Sequence, residues 1–294
     1  MVRRARQLSE VAPLLLSIQS SPERDLRLDS LAAEHGYSAS HFHRVFTAAV
    51  GETPKAHVER IRLERAAYRL SVTRENVLDI ALSLGFRNHE TFSRAFKRHF
   101  DSTPTAWRRE SVRGQKRRMD ASKAFTGDGC TLSAVSFLTL KPLTLLAMRR
   151  IGPYGTLGYP RFDGRPSQWT PLLEVAARRA LAYRKLGIVI CYDDPTITPP
   201  HLQHLDACVP LTSSSGAPTR GAVTRLDFPG GLYGAIEHRG PVRTLIQAYR
   251  TLADGIRRSG RFVFRRDPPI EIIRELPRGR TPALSEVYFP VELT

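Results

Sequence analysis

Two arginines occupy the same place in two copies of one short pattern. The copies are Phe42-His43-Arg44-Val45-Phe46 and, about fifty residues on, Phe92-Ser93-Arg94-Ala95-Phe96. Phenylalanines four apart share one face of a helix and turn it into a core. The polar residues between them then face outward, where a helix can enter a DNA major groove. Other chemistry-bearing groups are poorly arranged for catalysis or metal binding. His41 and His43 lie two apart and point to different faces of a helix. His201 and His204 are better spaced, but no third ligand is near them in the sequence. Asp193-Asp194 precedes Pro195 and reads as a turn cap. Cys130, Cys191 and Cys208 are scattered, with neither disulfide-framework nor zinc spacing, and read as small buried apolar residues. No metal and no cofactor are expected.

The helices that must carry Arg44 and Arg94 belong to a larger duplication. Leu31-Ala32 with Gly36-Tyr37 returns as Ile80-Ala81 with Gly85-Phe86, and Thr53-Pro54 returns as Thr103-Pro104. A small residue, Ala32 or Ala81, lets one helix approach the next, and a glycine at 36 or 85 permits the tight turn between them. Ser38 and Asn88 are the candidate N-caps of the helices that follow. Residues 1–110 are helical in pattern throughout, as in Leu8, Val11, Leu14, Leu15 and Ile18. A long helix at 55–71 separates the two copies. Residues 111–128 are polar, basic and without period, and read as a linker.

From about residue 130 the pattern becomes mixed. Runs at 132–138, 144–148 and 188–192 are short, apolar or β-branched, and bounded by Pro, Gly and Asp, so they read as strands. Stretches 169–186 and 242–258 read as amphipathic helices. This half also repeats itself. Ala147 to Gly152-Pro153 matches Ala235 to Gly240-Pro241, and Asp206 to Pro210 is similar to Glu286 to Pro290. The fold class expected is a two-domain chain: an all-α double helix-turn-helix followed by an α+β domain with duplicated strand-helix-strand-strand units. Two such units leave a cleft at their pseudo-twofold axis, a usual place for a ligand.

Composition bounds these readings. The 294 residues suffice for two domains, and 41% apolar with 25% charged residues is ordinary for a globular protein. No run reaches the ~18 apolar residues of a membrane span. The basic N-terminus is not followed by a signal core, so a cytoplasmic location is expected. The net charge of +17 favours a polyanionic partner. It does not locate the site, because residues 1–118 carry 22 basic and 13 acidic groups while residues 119–294 carry 23 and 15.

The ordered motifs carry a resemblance. Residues 1–110 resemble the DNA-binding domain of the AraC/XylS family, most specifically from Ile80-Ala81 through Gly85-Phe86 and Phe92 to Lys97, then Thr103-Pro104 to Trp107-Arg108. Asp101 stands where that family usually has glycine. The second half, 129–294, resembles the GyrI-like effector-binding domain. It does so through Gly152-Pro153-Tyr154, Asp193-Asp194-Pro195, Pro229-Gly230-Gly231-Leu232-Tyr233, Gly240-Pro241 and Glu286 to Pro290. Reader first and sensor second is the order of Rob-type regulators. Ile273 stands where an aromatic is often found two residues after the strand glutamate.

What the resemblance implies is specific. Ser40, His43 and Arg44 lie on the first recognition helix, and His89, Glu90, Thr91 and Arg94 on the second. Arg44 and Arg94 are then the guanine readers, since a guanidinium fork pairs with O6 and N7. Glu90 either accepts from a cytosine amine or pairs with a neighbouring arginine. Arg62, Arg65, Arg98 and Arg108 hold phosphates or make surface pairs. In the second half, Tyr154, Trp169, Tyr192, Tyr233 and Glu271 line a cleft for a small cationic or aromatic ligand, or the aromatics are simply core. The implied protein is a nucleoid-associated transcription activator. Its expected partners are promoter DNA with an asymmetric two-box site and RNA polymerase, with no membrane and no enzymatic activity. Two rivals stay open. One is a hydrolase using Glu271 with a tyrosine as base and acid; the other is a regulator whose second domain only contacts proteins.

Overall fold

The computed structural model describes residues 28–34, 36–110, 129–195, 197–219, 221–265, 267–279 and 281–294, preceded by Val11, Leu14, Leu15, Ile18 and Glu23. Leu8 and the expected linker at 111–128 lie outside the described residues. The chain divides into two compact units: residues 1–125 with 196–199, and residues 126–195 with 200–294.

Unit 1 is helical. Val11, Leu14, Leu15 and Ile18 are helical and buried. Then come α1 (Leu28–Glu34), α2 (Ala39–Val50), α3 (Pro54–Val72), α4 (Val77–Ser83) and α5 (His89–Phe100), and residues 104–110 are again helical. Side chains set the helix starts. Ser38 accepts from His41 N at 3.3 Å, Thr53 from Ala56 N at 3.2 Å with Pro54 in the first turn, and Asn88 from Thr91 N at 2.9 Å. Each cap satisfies an amide the first helical turn leaves without a partner. Gly36 and Gly85 turn the chain at φ 72° and 81°. At Gly85 a Cβ would also meet the Arg62 guanidinium at 3.0 Å and the Glu23 carbonyl at 3.1 Å, so glycine is required there twice over.

The core of the second copy gathers Leu63, Ala67, Leu70, Ile80, Ala81, Phe92 and Phe96, with Trp107 packed against it. Trp107 donates its indole N–H within reach of Ala67 O and Ser71 Oγ, both at 3.1 Å. In the first copy the equivalent region holds charge. Glu52 lies 2.8 Å from His57 Nδ1 and 2.8 Å from Arg60 Nη2, and Arg60 reaches Glu64 at 2.9 Å. Burial alone would raise the Glu52 carboxyl, but hydrogen bonds from His57 and Arg60 hold it down to about 2. A depressed carboxyl contributes stability above its unfolded range and loses it on acidification. The first copy is therefore expected to weaken between about pH 4.5 and pH 2.

Asp101 ends α5 in the left-handed region, at φ 52°, where Gly51 ends α2 at φ 94°. A side chain there costs about 1–2 kcal/mol, less for aspartate, which tolerates the conformation. Asp101→Gly is expected to raise stability by about 0.5–1 kcal/mol, part of the gain being offset by glycine's greater freedom when unfolded. Urea denaturation at neutral pH measures it, and a loss of stability would contradict the assignment of strain.

Unit 2 is an antiparallel sheet with helices on one face. Its strands are β1 (Thr131–Leu132), β2 (Ser136–Leu140), β3 (Leu143–Ile151), β4 (Gly187–Cys191), β5 (His204–Pro210), β6 (Val223–Phe228), β7 (Gly231–Arg239), β8 (Phe262–Phe264), β9 (Ile270–Glu275) and β10 (Leu284–Leu293). The order across the sheet is β1-β7-β10-β9-β4-β5-β3-β6, with β2 also on β7 and β8 on β10. The central junction pairs β4 with β9, setting Val189 opposite Glu271. Helices α6 (Thr170–Arg178) and α7 (Leu245–Ser259) cover one face. Trp169, Leu172 and Ala176 pack on Leu146, Val189, Cys191 and Leu205, while Ala248, Leu252 and Ile256 pack on Ile236, Val287 and Phe289. The alternate residues, Leu145, Ile188, Cys208, Ile270, Ile272 and Tyr288, cluster on the other face.

The helix expected at 169–186 is half that length. Ala180 takes φ 51°, and Leu181 N returns to Ala176 O at 2.9 Å, which closes the helix. Tyr183 then pairs with Leu211 as an isolated bridge. Apolar spacing continues past the stop because the same residues go on facing the core in extended form. The run expected at 132–138 is likewise two strands, β1 and β2, with a break at 133–135.

Candidate functional site

Helices α2 and α5 are amphipathic for a clear reason. Phe42, Phe46, Phe92 and Phe96 are buried, and each pair meets as tilted rings within its own helix, at 5.6 Å and 5.5 Å between ring centroids. This turns the opposite face to solvent. Ser40, His43 and Arg44 are exposed on α2, and His89, Glu90, Thr91 and Arg94 on α5. Arg44 Nη2 lies 3.3 Å from His41 Nδ1, a contact that orients the guanidinium along the helix. Arg94 lies 3.4 Å from Glu90 one turn back, with both side chains more than two-thirds exposed. Such a pair is worth only about 0.3–0.5 kcal/mol, so Arg94 is easily released. Thr91 is engaged in the cap, with Oγ1 at 3.1 Å from Asn88 O and 3.0 Å from Asn88 Oδ1. Ser93 Oγ sits 3.4 Å from His89 Nε2.

Three of the four arginines expected to hold phosphates or make surface pairs have structural partners. Arg98 pairs with Glu59, Arg62 donates to Gly85 O at 3.3 Å, and Arg108 donates to Glu75 O at 2.6 Å. These contacts brace the frame around α5.

The five residues expected to line one cleft in unit 2 fall on two faces of the sheet. Tyr154, Trp169 and Glu271 lie on the helix-covered face, and Tyr192 and Tyr233 on the other. The reason is the two-residue period of strands. Glu271 stands between Ile270 and Ile272, whose side chains go to the far face with Tyr233. The tyrosines of that face also have cations of their own. The Arg149 guanidinium carbon lies 4.3 Å from the Tyr192 ring centre, and that of Arg265 lies 5.5 Å from Tyr233. Trp169 is fully buried and donates its indole N–H to Gly158 O at 3.1 Å. The Tyr154 hydroxyl lies 2.8 Å from Asp193 O and 3.0 Å from His204 O. Asp193 in turn holds His204 Nδ1 at 3.0 Å, which accounts for the acid-rich turn and that histidine.

Glu271 is the chemically distinctive group. It is 9% exposed and has no ion-pair partner among the described residues. Burial pushes its carboxyl up to about 7, with a hydrogen bond from Ser285 acting the other way. Around it stand residues that the sequence reading missed. Cys191 lies 3.4 Å from the Tyr249 hydroxyl, and burial pushes the Cys191 thiol up to about 12, with the nearby Glu271 adding to it. Burial also raises the hydroxyls of Tyr249 and Tyr159, again with Glu271 contributing. Tyr249 lies on α7 and Cys191 ends β4, so nothing in their spacing links them to Glu271. Glu271 is thus a buried carboxyl with tyrosine, thiol and serine neighbours. It can neutralise a small cation or hold a proton near pH 7.

A pair of helix-turn-helix units followed by a helix-covered antiparallel sheet with a buried carboxyl defines a two-part class, reader plus small-molecule domain. The chain belongs to the GyrI-like small molecule binding domain family through residues 133–292, and to the AraC/XylS helix-turn-helix family through residues 31–110. Among similar proteins, the transcriptional regulator Rob of Salmonella typhimurium is 37% identical over 105 residues, covering 36% of this chain and 36% of that protein. The chain thus spans about a third of Rob's length. The regulatory protein SoxS of Escherichia coli is 34% identical over 98 residues, covering 33% of this chain and 92% of SoxS. The crystal structure of the EcmrR C-terminal domain is similar at 15% identity and a TM-score of 0.42, covering 55% of this chain and 98% of that one.

Proposed function

We propose that this protein is a sequence-specific DNA-binding transcription regulator, acting as an activator, whose GyrI-like domain binds a small cation. The observation that carries the reading is the paired exposure of Arg44 and Arg94 on two helices built from the same motif. Ser40, His43, His89, Glu90 and Thr91 extend the two reading faces. A guanidinium fork discriminates guanine from other bases by roughly 1–3 kcal/mol at each position. Two reading helices in one chain favour an asymmetric site of two boxes about 34 Å apart along the duplex. RNA polymerase is the partner through which an activator at such a site acts. The location that follows is the nucleoid.

Selection of bound sequences from a random DNA pool tests this. The unaltered protein should enrich two boxes about one helical turn apart. Arg44→Ala with Arg94→Ala should abolish that enrichment while keeping salt-sensitive general binding. Enrichment that survives the double change, or a strictly palindromic site bound by two chains, contradicts the reading.

In unit 2 the proposed ligand site is the buried Glu271 with Tyr154, Tyr159 and Tyr249. Tyr192 and Tyr233, which pack on the other face of the sheet, are not part of the proposed set. A carboxyl near 7 also suits a general base, so a hydrolase is the second reading. Turnover of reactive esters that is lost in Glu271→Gln would favour it over a sensor.

A further inference from the structure

The face of the sheet away from α6 and α7 holds a cavity of about 180 Å³. Its floor is apolar, made by Ile188, Ile270 and Ile272, the alternate residues to Val189 and Glu271. Its lining includes three cations, Lys141, Arg184 and Arg274. Arg274 is held by Glu286 at 2.7 Å. Lys141 and Arg184 are exposed, and no side-chain hydrogen bond or ion pair occupies either one among the described residues.

We propose that this cavity is a second ligand site, taking a compact apolar carboxylate of single-ring size. Volume sets the size, because an apolar cavity of about 150 Å³ is large enough to hold benzene. Charge sets the class. The walls offer an apolar body no hydrogen bonds, and the open cations offer a carboxylate charge-assisted ones. A cation in the same place would face Lys141 and Arg184 without compensation. The polarity is therefore opposite to that at Glu271. The strand period places the two sites back to back across β9. The proposal does not depend on Glu271 binding anything.

The test is calorimetric titration of the full chain with 3-phenylpropionate and with 3-phenylpropylamine, which has a similar shape and the opposite charge. Saturable binding of the carboxylate, at least about tenfold tighter than the amine, is expected. Lys141→Ala with Arg184→Ala should weaken it by about tenfold or more while leaving urea unfolding unchanged, because both side chains are exposed. Leu140→Trp, which fills the cavity from its wall, should also abolish it. Glu271→Gln should leave it unaltered, which separates this site from the proposed cation site. Absence of saturable binding, equal binding of the amine, or loss in Glu271→Gln but not in the double variant would overturn the proposal.

Discussion

Asp206→Asn should destabilise the second unit by about 3–5 kcal/mol, because it removes the charge of the carboxylate that the buried Arg149 guanidinium faces. Asp206 and Arg149 face each other on β5 and β3, each about 4% exposed, with Nη2 at 2.9 Å from Oδ2. Tyr192 donates to the same carboxylate at 2.7 Å and lies under the Arg149 guanidinium. Burial works against the charge of Arg149, and Asp206 reverses this, raising its affinity for the proton. Removing the charge of Asp206 thus takes away the largest favourable interaction that offsets the desolvation of Arg149. Urea denaturation followed by circular dichroism measures the loss. Replacing both residues with apolar ones, Arg149→Met with Asp206→Leu, should recover most of it, since a buried pair often stabilises no more than a well-packed hydrophobic substitute. A loss under 1 kcal/mol for Asp206→Asn would mean that water reaches the pair.

Glu271→Gln should act in the opposite sense and only at higher pH. The folded carboxyl sits at about 7 against an ordinary 4.5. Between these values the folded chain keeps a proton that the unfolded chain has released. Stability therefore falls as pH rises through this window, and the loss is complete above it. At 1.36 kcal/mol per unit, the loss amounts to about 3 kcal/mol. Glutamine cannot ionise and escapes it. The variant should thus be about 3 kcal/mol more stable than the unaltered protein at pH 8 and nearly equal at pH 4.5. Urea unfolding across that range reads the difference directly. An equal gain at both ends would assign the effect to packing. On the proposed function, the same change should weaken a small cation far more than a neutral ligand of equal shape. The chain would then carry a group that costs stability where its ligand is absent, a usual trade at a binding site.

Much of unit 1 was legible in the sequence, because its signals are local. A cap is a short-range hydrogen bond, so Ser38 and Asn88 are readable as helix starts from residue type and position alone. Phenylalanines four apart settle which way α2 and α5 face, and so which residues are exposed. Glycine at 85 is readable as a turn. The guanidinium of Arg62 that also excludes a Cβ there lies twenty-three positions away and is invisible to spacing. The cluster of part-buried Glu52 with buried His57 and Arg60 was likewise missed, since charged residues normally face water.

In unit 2 the sequence by itself determined strands, turns and a mixed α+β pattern, and it singled out Glu271. Only the tertiary structure decided what Glu271 meets. A strand sends alternate residues to opposite faces, so the register of β9 against β4 and β10 places Cys191, Tyr249 and Ser285 near it and sends Tyr192 and Tyr233 away. The end of α6 depended on Ala180 taking a left-handed turn that the apolar spacing does not signal. Helix faces follow from neighbours a few residues apart. Which residues share a sheet face with a given group follows from pairing between strands distant in the chain, and residue spacing does not carry that information.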